Sequence, residues 1–282
     1  MAPEPRDFLD SRVFLDIARV IRMLEAAVRP RANRRALDSL ARRDRAWDKV
    51  FHSWAGVPYA SFVESTASAG SVYAAAHSLR LGGADRLADR VIAVAASTSA
   101  PRQRGGAILS QVVWGRSRSP FGDCLLAESE RGLCHLEFFD ATQRAFVDAE
   151  RSLAARGWTA TGRRDDRYAS SLARRVFARA RRAPPLPVHL HGSPFQREVW
   201  HALLALDSRS VIAYGALAAN LGRAGAARAV GSAVGQNRIG WLVPCHHVVT
   251  GRGLGADGLG GFHWGVDRKR SMLVWESVSP AS

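Results

Sequence analysis

Apolar residues recur at helical spacing through the first hundred residues of the chain. In residues 12–28 they share one face of a predicted amphipathic helix: Val13, Ile17, Val20, Ile21, Leu24 and Val28. Shorter segments of the same kind are expected at 35–40, 46–54, 71–79 and 84–94. Two groups of short helices, each with a turn inside it, favour a pair of helix-turn-helix units. A small helical bundle without a ligand has the same spacing and remains an alternative.

The periodicity changes after residues 97–106, which are predicted to form a linker. Strands of a short antiparallel sheet are then predicted at 107–113, 123–127 and 133–139. Asp140 is placed to cap a helix that ends near Ala155, and a second helix is expected at 167–180. Residues 106–185 are therefore predicted to be a small α+β domain.

Residues 186–282 follow a proline-rich connector and are predominantly helical in pattern. Ser193-Pro194-Phe195-Gln196 has the form of a capping box with proline at the first helical position. Two short helices, predicted at 214–221 and 224–235, are separated by Gly-Arg and are typical of a helix-turn-helix. The second is built from Ala, Gly and Ser, so Arg228 would project alone toward a surface such as DNA.

These patterns predict an α+β fold class in three parts. We expect an all-α helix-turn-helix region at 1–105, a small α+β domain with a short antiparallel sheet at 106–185, and a helical, winged-helix-like domain at 186–282. The composition, 47% hydrophobic and 23% charged, is ordinary for a globular protein.

The net charge of +15 favours a polyanionic partner, nucleic acid first. A basic surface without a partner is the alternative. The three cysteines lack the spacing of a disulfide framework or a structural zinc site, so we expect no metal and a reducing, cytoplasmic setting. Cys124 and Cys134 fall inside predicted strands, where a cysteine behaves as a small hydrophobic residue. Neither a signal peptide nor a membrane helix is expected.

The segment 237–249, NRIGWLVPCHHVV, carries the candidate chemistry. A thiol becomes nucleophilic beside a base, and that base needs a third group to orient it. Cys245, His246 and Glu276 could supply these three parts. A Cys-His-Glu hydrolase is one alternative, although nothing in the sequence specifies its oxyanion hole. Six of the residues in 250–264 are Gly, so this loop can bring its backbone close to a ligand.

The second half of the chain resembles the O6-alkylguanine-DNA alkyltransferases, also called methylated-DNA–protein-cysteine methyltransferases. The resemblance is carried in order by Phe195-Gln196, Val199-Trp200, Tyr214, Ala227-Arg228-Ala229-Val230-Gly231, Asn237, Pro244-Cys245-His246, Gly261-Phe262, Trp264-Gly265, Arg268-Lys269-Arg270 and Glu276. Residues 1–105 resemble an AraC-type DNA-binding region more faintly, chiefly through Phe51, Trp54-Ala55-Gly56 and Ser61-Phe62. The layout is similar to shorter Ada-like proteins.

The resemblance implies roles for individual residues. Cys245 would accept the alkyl group, with His246 as the base acting through a water, Glu276 orienting His246 and Asn237 holding the turn. Tyr214 would assist extrusion of the base and protonation of the leaving guanine. Arg228 would fill the gap left in the stack, on a surface that also includes Tyr214, Ala227 and Gly231. The substrate pocket would be formed by Val248, Gly260, Phe262, His263 and Trp241.

Several positions depart from the family pattern. His247 replaces the usual Arg after the catalytic His, which could weaken contact with DNA or make it sensitive to pH. Phe262 replaces a Tyr, His263 replaces an Arg, and Ala213 replaces the Ser before Tyr214. None of these positions belongs to the Cys, His, Glu and Asn set.

The favoured hypothesis is therefore single-turnover DNA repair. An alkyl group would pass irreversibly from O6-alkylguanine or O4-alkylthymine in double-stranded DNA to Cys245 after base flipping. The alternative is a DNA-binding transcription regulator whose alkyltransferase half is sensory or vestigial. We expect no cofactor, no metal, no membrane partner and a monomer.

Overall fold

A mixed six-stranded sheet lies at the centre of the structure, a computed structural model. It describes residues 8, 10–28, 45–79, 91–97, 111–140, 142–155, 162–178, 185–206, 210–251, 254 and 258–278. The strands are β1 Val91–Ser97, β2 Val112–Ser119, β3 Gly122–Ser129, β4 Gly132–Phe139, β5 Gly162–Arg164, β6 Leu186–His191, β7 Ile212–Ala213 and β8 Val248–Val249.

The helices surround this sheet and form most of the C-terminal part. They are α1 Ser11–Ala27, α2 Arg45–Ala55, α3 Tyr59–Ala69, α4 Val72–Ser78, α5 Gln143–Ala154, α6 Asp166–Val176, α7 Pro194–Leu204, α8 Tyr214–Asn220, α9 Ala227–Gly235 and α10 Val266–Val278. Cys245–His247 forms one 3₁₀ turn. Among the residues placed by the structure, no helix is both long and apolar enough to cross a membrane.

The sheet order is β1-β6-β4-β3-β2-β5. The expected antiparallel ladder is confirmed for β2, β3 and β4, and parallel strands extend it on both sides. Strand β3 is buried on both faces because alternate side chains enter two different cores. Cys124 and Leu126 join the main core, while Leu125 and Ala127 join a smaller one that α5 covers. Cys124 and Cys134 are buried, as expected.

The described part of the N-terminal region packs directly onto the helix that carries Glu276. Helices α1 and α4 both lie against α10, and α1 also contacts β3. The Ser11 hydroxyl donates to the Asp123 carboxylate at 2.6 Å and accepts from the Asp123 backbone N–H at 2.8 Å. The Trp54 indole N–H donates to the carbonyl of Pro120 at 2.8 Å. One continuous core therefore joins the N-terminal helices to the sheet and to the Cys245 segment.

The expected all-α character of residues 1–105 is wrong. Residues 91–97, of which 91–94 were predicted to be helical, form β1 and pair in parallel with β6. Val91, Ile92 and Val94 are β-branched and favour a strand when a neighbouring backbone is available. The predicted helix at 35–40, the first part of that at 84–94 and most of the predicted linker at 97–106 lie outside the described residues.

Two further local predictions need correction. Helix α3 lies in a stretch for which no helix was predicted, yet Tyr59, Phe62, Val63 and Thr66 form a buried face at helical spacing. The helix after β4 is capped by Thr142, whose hydroxyl accepts from Ala145 N. Asp140 does not cap it and instead pairs with Arg268 at 3.1 Å. The Asp140 carboxylate is therefore bound to the buried guanidinium of Arg268 and not to the start of the helix.

Replacing Phe14 tests whether the N-terminal helices share one core with the sheet and the Cys245 segment. The Phe14 side chain is 1% exposed and lies against the Phe121 ring and the Arg268 guanidinium. We expect Phe14→Ala to lower the free energy of unfolding by about 3–5 kcal/mol, as for other buried aromatic truncations. Chemical denaturation followed by tryptophan fluorescence measures this loss.

The neighbouring Leu15 supplies the control because it is 45% exposed on the same helix. Leu15→Ala should change stability by less than about 1 kcal/mol. If Phe14→Ala unfolded the N-terminal helices in a separate, earlier transition and left the main one unchanged, the single-core description would be wrong.

Candidate active site

Asn237 organises the turn that carries Cys245. Its side-chain N–H group donates to the carbonyls of Ile239 at 3.3 Å and Val243 at 3.1 Å, and to the Cys245 sulfur at 3.2 Å. Its side-chain oxygen accepts from the Ile239 backbone N–H at 2.9 Å. One buried amide therefore bonds to both ends of the turn and contacts the thiol.

The same turn is attached to the central sheet. Leu136 N donates to the carbonyl of Arg238 at 2.8 Å, and Gly240 N donates to the carbonyl of Leu136 at 2.9 Å. Trp241 adopts a left-handed backbone with φ of 69°, which a bulky residue rarely does. A side chain at Gly240 would meet the Trp264 and Phe138 rings at under 3 Å. The strained turn is thus held by β4, by Asn237 and by the aromatic core.

Cys245 lies at the inner end of a cavity of about 270 Å³. Cys245 is 5% exposed and is the first residue of the 3₁₀ turn. The cavity wall is formed by the start of α8, by α9 and by the glycine-rich segment, through Tyr214, Gly231, Val234, Gly235, Asn237, Gly261, Phe262, His263 and Trp264. A small planar ligand could enter between α9 and this segment and meet the thiol.

His246 and His247 both reach Glu276 on α10. The distance from His246 Nε2 to Glu276 Oε2 is 3.2 Å, and that from His247 Nε2 to the same oxygen is 2.7 Å. The His246 ring also stacks on Trp241, with ring centroids 5.3 Å apart and planes 8° from parallel. Glu276 is therefore within hydrogen-bonding distance of both histidines.

Burial dominates the electrostatics of the thiol. It raises the pKa of Cys245 to about 11, although the contact with Asn237 and the charge of Lys269 oppose the shift. Near neutral pH the resting Cys245 side chain is therefore a thiol and not a thiolate. The proton must leave the sulfur when the reaction occurs, and a nearby neutral base must accept it.

His246 is suited to accept that proton. Burial lowers the pKa of His246, although Glu276 opposes the shift, so its imidazole is neutral near pH 7. Burial alone would raise the pKa of Glu276, but His247 and His246 outweigh it and keep the carboxylate charged. Burial and the charge of Cys245 raise the pKa of Tyr214, so its hydroxyl retains its proton and can donate.

Lys269, for which the sequence predicts no role of its own, is buried beside the site. Its ammonium is fully buried and donates to the carbonyls of Val248 and Leu259. Burial lowers the pKa of Lys269 to about 8, and the charge of Cys245 opposes this. The lysine joins the Cys245 segment to the glycine-rich segment and places a positive charge near the thiol. A lysine inside a basic helical run gives no sequence signal of such burial.

Two of the predicted pocket residues lie elsewhere. Trp241 is buried behind the turn, stacked on His246, and Val248 is fully buried in β8 beside Ile212. Their apolar character reflects the core and not the cavity. Phe262 and His263 do line the cavity. His263 is held by hydrogen bonds to Arg238 and, at 3.4 Å, to Glu137 of β4.

Gly260 lies at the edge of the cavity with φ of 69°. A Cβ at this position would approach Thr250 at 3.1 Å and the Tyr214 ring at 3.6 Å. On α9, Arg228 is exposed and Ala227 is half-buried, whereas Gly231 lies against the Tyr214 ring and lines the cavity.

His246, His247 and Glu276 also form the one three-residue cluster in the described ranges whose donor atoms could converge on a metal ion. The Nε2 atoms of both histidines and the Oε2 atom of Glu276 already bond to one another. We therefore assign this cluster to hydrogen bonding and not to metal binding.

Comparison with known proteins gives consistent matches for this arrangement. The family model described as the DNA binding domain of 6-O-methylguanine DNA methyltransferase matches residues 194–278. The model for the ribonuclease-like domain of the same enzyme matches residues 112–173. The methylated-DNA–protein-cysteine methyltransferase of Mycolicibacterium paratuberculosis is 37% identical over 166 residues, covering 58% of this chain and 92% of that protein.

Other relatives include Ada proteins. The regulatory protein ada of Salmonella typhimurium is 34% identical over 160 residues, covering 56% of this chain and 43% of that protein. This chain thus spans less than half of the length of these Ada relatives. The solved O6-methylguanine methyltransferase of Mycobacterium tuberculosis is 31% identical, with a TM-score of 0.46, and covers 60% of this chain and 94% of that one.

The structure has a buried cysteine at a cavity next to the two short helices α8 and α9. The chain belongs to the 6-O-methylguanine DNA methyltransferase family, as the sequence resemblance indicated.

Replacing Asn237 tests the organisation of the turn. Asn237→Ala leaves the carbonyl of Val243 and the N–H of Ile239 without their side-chain partners, and each unpaired buried group costs about 1–3 kcal/mol. We expect a loss of at least about 2 kcal/mol in the free energy of unfolding and a slower reaction of Cys245 with iodoacetamide. Gln236→Ala, at the exposed neighbouring position, is the control, and equal effects of both changes would contradict the assignment.

Proposed function

We propose that this chain repairs alkylated DNA by moving an alkyl group from O6-alkylguanine, and from O4-alkylthymine, to Cys245. The observation that carries the proposal is a buried thiol at the end of a base-sized cavity, backed by His246 and Glu276. The cavity is near the lower end of the ~300–1,000 Å³ typical of small-molecule sites, which suits one nucleobase. Membership in the family supports the same reaction.

Double-stranded DNA would lie across α8 and α9. Tyr214 and Gly231 line the cavity, which a base would reach only after leaving the duplex. Arg228 is exposed on α9, whose small neighbours allow close approach to the DNA, and it could occupy the space that the flipped base leaves. The net charge of +15 supports attraction to the phosphate backbone.

The transfer step balances without a cofactor. His246 takes the thiol proton, the sulfur forms a bond to the alkyl carbon, and the bond from that carbon to O6 breaks. The electron pair of the broken bond stays on guanine, which takes one proton from the Tyr214 hydroxyl. Water then returns a proton to Tyr214, and His246 releases to water the proton that it took from the thiol. Lys269 and Asn237 stabilise the charge on sulfur before transfer. The thioether product is stable, so each chain reacts once.

We propose the regions 1–105, 106–185 and 186–282 as the functional divisions of the chain. The AraC-like assignment of the first region is supported by α2 and α3, which lie on either side of a turn at Gly56 and place Phe51, Trp54 and Phe62 in one core. A regulator with a sensory alkyltransferase half would need this region to bind a specific DNA sequence. The packing of α1 and α4 on α10 favours a role in supporting the repair site.

Mass spectrometry after incubation with O6-methylguanine DNA tests the proposed acceptor. We expect a gain of one methyl group per chain, located on Cys245, because only one thiol is at the cavity. Cys245→Ala should gain none, whereas Cys124→Ala should still accept one. Methyl transfer by Cys245→Ala, or more than one methyl on the wild-type chain, would exclude the proposed acceptor.

Replacing Arg228 tests extrusion of the base. Arg228→Ala should slow repair of duplex DNA by at least about tenfold, since base flipping costs a few kcal/mol, yet leave the reaction with free O6-benzylguanine within about twofold. Arg151→Ala is the charge-matched control because Arg151 is exposed on α5, on the far face of the sheet. An equal loss with duplex and free base would contradict a role for Arg228 in extrusion.

A further inference from the structure

Glu276 serves two histidines through one oxygen, and the closer of the two is not the proposed base. His247 Nε2 lies 2.7 Å from Glu276 Oε2, whereas His246 Nε2 lies 3.2 Å from it. We propose that His247 is a positioning residue that holds Glu276 and, through its own charge, sets how strongly Glu276 supports His246 as the base. This inference rests on the proposed alkyl transfer.

The location of His247 corrects an expectation from the sequence. Its side chain was expected at a turn facing DNA, but it is 1% exposed and points toward α10. The His247 and His246 rings meet edge to face, with centroids 4.5 Å apart and planes 88° from parallel. His247 is therefore shielded from DNA, and its effect must pass through Glu276 or through the ring of His246.

The charged and hydrogen-bonding groups around His247 come from three parts of the chain. Helix α10 supplies Glu276 and Lys269, the 3₁₀ turn supplies His246, and the backbone at Ser210, before β7, supplies a further hydrogen bond. Burial and Lys269 favour neutral His247, but Glu276 and the two hydrogen bonds outweigh them and raise the pKa of His247 above its usual value. His247 therefore carries a proton at mildly acid pH and loses it as the pH rises through that raised pKa.

The two charge states of His247 give His246 different surroundings. When His247 is protonated, it neutralises much of the Glu276 charge, and proton transfer from Cys245 to His246 would place two cations beside one carboxylate. When His247 is neutral, the full charge of Glu276 supports the imidazolium that forms on His246. A nearby charge changes a pKa by about 1–3 units, so the rate should differ by about tenfold between the two states.

Two substitutions separate charge from simple packing. His247→Gln keeps a hydrogen-bond donor for Glu276 without a charge, and His247→Arg keeps a permanent positive charge. Single-turnover rates at saturating O6-methylguanine duplex would be measured from pH 5.5 to 9. We expect His247→Gln to exceed the wild-type rate by up to about tenfold at pH 6 and to approach it at high pH. His247→Arg should match the wild type at pH 6 and fall about tenfold behind it at high pH.

His201→Gln is the matched control, since His201 is exposed on α7 and away from the cluster. Its pH profile should follow the wild type. Parallel losses for both His247 variants at every pH would mean a merely structural role and would overturn the proposal.

Side-chain ¹⁵N NMR of the full-length wild type and both variants supplies a readout that does not need transfer. The proposal requires that His246 titrate at a higher pH in His247→Gln than in His247→Arg. An unchanged His246 titration would overturn it. If the wild type took up no methyl group yet the NMR shift were seen, the proposed function would fail while the coupling of His247 to His246 stood.

Discussion

Burial of the Cys245 thiol is the constraint on which the rest of the site depends. A charge is costly away from water, so the thiol keeps its proton at neutral pH, with its pKa raised to about 11. The thiolate is the nucleophile, and a site that stores the thiol is slow to react with small solutes. Asn237 and Lys269 lower the free-energy cost of a negative charge on the sulfur. His246, which contacts Glu276, is the group proposed to accept the proton.

Helix α10 carries residues of the candidate site together with residues that hold the core. Arg268, Lys269, Arg270 and Ser271 are four consecutive buried polar residues, an arrangement that requires a partner for each. Arg268 donates to the carbonyls of Phe121 and Trp264 and pairs with Asp140, while Lys269 binds two carbonyls beside the thiol. Helices α1 and α4 cover the outer side of α10. The N-terminal helices therefore exclude water from the helix that supplies Lys269 and Glu276.

Much of the site could be predicted from sequence because its residues are joined by short, specific motifs. Asn237 and Glu276, which the resemblance pointed to, both make hydrogen bonds at the site, and the capping box at Ser193 and Gln196 is present as predicted. The failures share a physical cause, which is tertiary context. Val91–Ser97 is a strand because its backbone pairs with that of β6. Trp241 does not line the cavity because its ring stacks on His246. The burial of Lys269 depends on contacts far apart in the chain.

His247 shows why a motif cannot settle the electrostatics of its own residues. A histidine next to the proposed base could face solvent or the core, and only the position of α10 decides this. Because Glu276 lies 2.7 Å from His247 and 3.2 Å from His246, the carboxylate cannot serve either ring without affecting the other. A proton that arrives on His246 from Cys245 therefore enters a three-group cluster, and its free energy depends on whether His247 already holds one. The basicity available to the thiol is a property of this cluster and not of His246 alone.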